Sequence, residues 1–185
     1  MSWFSRWIDR VRERRDARAF TATGILHKAE ANLERGVLTP DGFLGQDNRP
    51  LLRILREDSL AFTDLGLEWA VVGQRLDELL LLGAAGLGEP ITVSDRYLVR
   101  VAETRGMLPC PWEDGLWRKR SATVQRLVGG APSGPEILFS DLSLHLLREH
   151  HFLQGKGSPF RLEPRDLQEV LGDTPPEEVG YPSQK

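Results

Sequence analysis

The hydrophobic period of this chain changes once, at Gly86-Leu87-Gly88. Upstream, Leu65, Trp69, Val72, Leu76 and Leu79 recur every three or four residues, the spacing of one helix face. That spacing predicts a helix from Leu67 to Leu82 with Gly83 at its exit. Leu80, Leu81 and Leu82 widen the apolar face, so this helix is expected to be largely buried in the N-terminal core. Downstream the period is two. Tyr97, Val99 and Val101 share one face of residues 91–104, residues 116–128 read as a second strand, and Glu136 to Phe139 return across a Gly/Pro/Ser loop at 129–135. Helices gathered before strands, rather than alternating with them, indicate an α+β fold. The expected architecture is a helical N-terminal part packed with a C-terminal antiparallel sheet and a capping helix.

Other elements follow from punctuation. Residues 21–36 read as helical towards Gly36, and Pro40-Asp41-Gly42 marks a turn. Pro50 opens a short helix from Leu51 to Glu57. Leu108-Pro109-Cys110-Pro111-Trp112 is read as irregular because two prolines remove two donors, and Asp114-Gly115 as a turn. Ser140-Asp141 caps the helix carrying His145, and Pro164 opens a last helix ending at Gly172. The expected organisation is an arm over 1–20, one domain over 21–172 (helical to 88, strand-rich from 89) and a disordered tail over 173–185.

The chain has 185 residues, enough for a substantial core, and a net charge of −3. A general nucleic-acid binder is usually basic, so nucleic acid is not an expected partner. The single cysteine, Cys110, excludes an intrachain disulfide. Arginines and aspartates interrupt the N-terminus from Arg6, leaving no signal-peptide core, and no apolar run is long enough to span a bilayer. A cytoplasmic protein is the expectation.

Residues 1–18 hold six arginines and three acids, a net +3 that leaves −6 on the remainder. At helical spacing Trp3, Phe4, Trp7, Ile8 and Val11 share a face, which Arg14 and Arg15 then take over. A short aromatic patch followed by cations suits a groove on a partner protein, or peripheral contact with an anionic membrane.

Residues 145–157, H-L-L-R-E-H-H-F-L-Q-G-K-G, hold three of the four histidines. With Leu142 at 0° on a helix wheel, His145 falls at about 300°, Glu149 at about 340°, His150 at about 80° and His151 at about 180°. One continuous helix therefore cannot gather the three histidines round an ion. Only His145 and Glu149 share a face, as two metal ligands or an acid–base pair. His150 sits among leucines, as a core histidine or one lining a pocket. The candidate catalytic residues are His150, His145 and Glu149. Gly155 reads as a left-handed helix stop rather than part of a phosphate loop, leaving Lys156 and Arg161 to hold an anion by charge.

Leu65-Gly66-Leu67 followed by Val72, Leu76, Leu79 and Gly83 resembles the turn and second helix of helix-turn-helix proteins, with the later strands as a winged-helix wing. The would-be recognition helix carries Glu68, Asp77 and Glu78 against Arg75 alone, so the resemblance implies protein contacts rather than DNA reading.

No complete catalytic constellation is present, and no cofactor is expected. The leading expectation is a small binding or adaptor protein that uses its arm for a protein partner or membrane surface. One alternative is a metal-binding protein or enzyme centred on His145, Glu149 and His150, with further ligands such as Cys110 or Asp141. The other is a winged-helix-like regulator over residues 50–104.

Overall fold

The computed structural model describes residues 24–172. The arm over 1–20, with Trp3, Phe4, Trp7, Ile8, Val11, Arg14 and Arg15, and the tail over 173–185 lie outside the described residues. The fold is α+β. A first helix, α1, covers residues 24–32. It is followed by α2 (Leu51–Asp64), α3 (Trp69–Gly83), strands β1 (Ile91–Val93), β2 (Tyr97–Pro109), β3 (Leu116–Val128) and β4 (Ala131–Ser140), then α4 (Asp141–His150) and α5 (Pro164–Leu171). The strands form one antiparallel sheet in sequence order. No helix among the described residues is long and apolar enough to cross a membrane.

Alternation decides which sheet face is covered. Val99, Val101, Ala122, Val124, Ile137 and Phe139 point to one side, where they meet Leu76 and Leu80 of α3, Leu147 of α4 and Leu167 of α5. A second core joins Ala29 of α1 and Leu33 just after it, Leu51 and Ile54 of α2, Phe43, Cys110 and Phe152. Helix α4 serves both: Leu144 and Leu147 enter the first core, Leu142 and Leu146 the second.

The structure breaks the strand expected over 91–104 at a turn over 94–96, and it revises several boundaries. Helix α2 runs to Asp64 rather than Glu57. Asp58, which interrupts its apolar pattern, is buried and paired with Arg161 in a two-pronged contact of 2.7 and 3.1 Å. Strand β2 continues to Pro109, which pairs with Leu116, so a missing donor falls at the strand's last residue. Strand β4 starts at Ala131 rather than Glu136, because Gly129 and Gly130 both take positive φ (60° and 80°) and close a two-residue hairpin. Pro132 and Pro135 are tolerated since β4 is an edge strand. Finally, α4 stops at His150, and His151 is its left-handed cap (φ 49°). Gly155 does not stop that helix but lets two loops touch. A Cβ there would lie 2.2 Å from the Leu44 carbonyl oxygen, and its own N–H donates to the Phe43 oxygen at 2.9 Å.

Candidate metal centre

Two segments far apart in sequence converge at one end of the second core. The first is the turn between β2 and β3. Cys110 N–H donates to the Gly115 oxygen (3.0 Å) and Glu113 N–H to the Cys110 oxygen (2.9 Å), which brings Cys110 and Asp114 to one side of the turn. Helix α1 braces it: Asn32 Nδ2 donates to the Pro111 oxygen (2.8 Å) and Lys28 pairs with Glu113 (2.6 Å). The second segment is α4. Its first turn is fixed by Ser140, whose hydroxyl accepts from Ser143 N–H (3.1 Å), and it presents His145 and His150 to the turn.

One ligand atom each from Cys110, Asp114, His145 and His150 lie within 4.8 Å of one another. His145 Nε2 is 3.0 Å from Asp114 Oδ1, and His150 Nε2 is 2.9 Å from Asp114 Oδ2. The same His150 nitrogen is 3.5 Å from Cys110 Sγ. Each imidazole lies on a tryptophan. Trp112 stacks on His150 with centroids 4.2 Å apart and planes 7° apart, and Trp117 on His145 at 3.6 Å and 25°. The two imidazoles meet edge to face at 5.0 Å. Gly115 lies beneath the Trp117 ring, where a Cβ would come within 2.4 Å of it.

Burial grades the four donors. Cys110 is fully buried, and the His145 and His150 side chains are 10% and 13% exposed. Asp114 is 40% exposed and so forms the solvent-facing side of the cluster. Burial, reinforced by the Asp114 carboxylate, pushes the Cys110 thiol up to about 12. Burial also holds His150 below its ordinary 6.5, against the pull of Asp114. For Asp114 burial acts upwards, but the Cys110 thiol and the two histidines outweigh it, and the carboxyl lies below its ordinary 3.8. Without a cation the cluster therefore holds a carboxylate, a neutral thiol and, at neutral pH, an uncharged His150.

Thiolate, imidazole and carboxylate are the donor types of zinc, which takes sulfur at about 2.3 Å and nitrogen at about 2.0–2.1 Å in a tetrahedron. Those lengths require a sulfur-to-nitrogen edge of about 3.5 Å, the separation found between Cys110 and His150. The two His–Asp contacts end on different oxygens of Asp114 at hydrogen-bond lengths, and the edge to whichever oxygen binds would open by about 0.4 Å round an ion. The donors fit the group.

No family model matches the chain, nor does any curated protein or solved structure.

The structure places the sequence candidates as follows. His145 and His150 come together, although 140° apart on an ideal wheel, because both reach across to Asp114. Glu149 is exposed and lies outside the cluster. His151 stacks on Trp69 at 4.5 Å, and Asp141 pairs with Arg120 at 3.0 Å. Arg161 is buried, with its donors taken by Asp58, Glu163 and the Gln154 carbonyl rather than by an anion site. Lys156 is exposed, and its backbone N–H donates to Asp47. In the helix-turn-helix-like segment the buried residues of α3 face the sheet and α4, while Asp77 pairs with Arg148 and Arg75 with Glu78. Asp114 is the residue that sequence reasoning missed. The available signal was a cysteine and an aspartate four apart, flanking a predicted turn between two strands.

Proposed function

We propose that this chain is a metal-binding protein whose Cys110, Asp114, His145 and His150 hold one divalent transition ion of the zinc class. The observation that carries the reading is that four donors from two separate elements lie within 4.8 Å of one another, with His150 offering the same Nε2 to sulfur and carboxylate. Four protein donors complete a tetrahedron, the hallmark of a structural rather than a substrate-activating site. The ion would supply charge to the thiolate and carboxylate and tie the β2–β3 turn to α4. Trp112 and Trp117 fix the two imidazole planes.

Elemental analysis of the purified full chain, stripped with chelator and refilled with zinc, tests this. One equivalent of zinc per chain is expected, with loss of tight binding in Cys110→Ser and His150→Ala. Zinc stoichiometry and affinity unchanged in the Cys110→Ser/His150→Ala double variant would overturn the reading. The adaptor expectation based on the arm concerns residues outside the described ones and takes no part in this proposal.

A further inference from the structure

Away from the four donors, a cavity of about 300 Å³ opens where the β2–β3 hairpin meets the loops at 39–43 and 158–160. That volume lies at the lower end of small-molecule sites, about 300–1,000 Å³. Its walls are mainly apolar, with Phe43, Leu108, Leu142 and Phe160 prominent. Gln154 and Ser158 also line it and are almost fully buried; Ser158 Oγ donates to Gln154 Oε1 at 2.6 Å. Gln154 Nε2 reaches Ser143 Oγ at 3.4 Å, which leaves its second hydrogen for a ligand.

The charge around this cavity is one-sided. Arg118, Lys119 and Arg120 line it, against Asp41 alone among the acids. Arg120 is held by Asp141, Arg118 lies 3.6 Å from Glu103, and Asp41 lies 3.7 Å from Arg35. Lys119 is exposed and has no carboxylate partner among the described residues. An apolar chamber with one unmatched cation at its rim is complementary to a molecule with an apolar body and one anionic end.

We propose that this cavity binds a small amphipathic carboxylate, with its apolar body among Phe43, Leu108, Leu142 and Phe160 and its carboxylate at Lys119. The chemistry is shared by medium-chain fatty acids and aromatic acids, so decanoate and 2-naphthoate are the two probes. Each is titrated into the full chain by calorimetry, beside decylamine as a cationic control. Saturable one-to-one binding of at least one acid is expected, and the tighter acid identifies the source class. Lys119→Glu should weaken it at least tenfold, about 1.4 kcal/mol. Ala102→Trp should abolish it, because Ala102 lines the cavity from an exposed strand position; Thr104→Trp is a second occluding variant from the same strand. The proposal is overturned if neither acid saturates by about 1 mM, if decylamine binds as tightly, or if Lys119→Glu and folded occluding variants bind like the parent. Zinc content, measured on the same samples, is independent of all these outcomes.

Discussion

His150 presents Nε2 to Cys110 Sγ across 3.5 Å, forty positions along the chain, and the same nitrogen lies 2.9 Å from Asp114. In a nucleophile–base–carboxylate relay the two imidazole nitrogens have separate duties: one meets the nucleophile, the other is steered by the acid. Here Asp114 and Cys110 address the same nitrogen. That arrangement suits a point shared by ligands better than a path for a proton, and the thiol, held high by burial, is a poor nucleophile as it stands.

Cobalt(II) makes the centre visible. The refilled chain should show strong visible absorption from a tetrahedral ion and a thiolate-to-cobalt band in the near ultraviolet. Cys110→Ser should erase the ultraviolet band. Since the chain holds one cysteine, a band that persists in that variant would show that Cys110 is no ligand.

Affinity should depend on pH through one identifiable proton. At pH 7 Asp114 is already ionised and His150 already neutral, whereas the Cys110 thiol at about 12 is protonated. Binding displaces that proton, so apparent zinc affinity should rise about tenfold per pH unit between pH 7 and 9. Competition titrations with a chromophoric chelator read the slope; Cys110→Ser should flatten it. The metal-free chain has its own dependence. Asp114 and His150 both have folded values below their unfolded ones, so the unfolded state takes up protons first as pH falls. Stability present above 6.5 should therefore decline on acidification, seen as a lower urea midpoint at pH 5.5 than at pH 7.5.

Gly115→Ala should disturb the centre without unfolding the chain. The added methyl cannot share space with the Trp117 ring 2.4 Å away, and Trp117 backs His145. Loss of groups that orient a ligand costs about 10–100-fold in metal affinity. An unchanged zinc dissociation constant would show that Trp117 does not position His145.

The Asp58–Arg161 pair predicts an asymmetry between single and double variants. Both side chains are about 5% exposed, and each satisfies the other's charge. Asp58→Ala leaves a buried guanidinium with only Glu163 as counter-charge and should cost about 3–5 kcal/mol. Asp58→Leu combined with Arg161→Met should lie much closer to the parent. Equilibrium urea unfolding distinguishes the two; equal losses would show that the pair is not a coupled buried contact.

Much of the fold was legible because apolar spacing is set by burial on one face. Residues 116–128 emerged as a strand with both boundaries correct, and the α3 face of Val72, Leu76 and Leu79 was read directly. The failures share a cause: the sequence hides partners. The helix read as ending at Glu57 continues through Asp58, whose partner Arg161 lies 103 positions away. The Gly-Gly turn looked like a loop because edge-strand prolines are tolerated only once the strand order is known. The helix wheel separated His145 from His150 correctly as directions, yet two long side chains on one helix can bend towards a third residue that the wheel does not contain. That residue, Asp114, comes from another element, so no single-helix argument could reach it.

Helix α4 has only ten residues, yet it lends Leu144 and Leu147 to one core and Leu142 and Leu146 to the other. Neither core can come apart without stripping a wall from its neighbour. Backbone amides in α1 and in β4, which belong to different cores, should therefore exchange with solvent through the same opening event and converge on one protection free energy. The two cores would melt as one unit, with α4 as the shared partition.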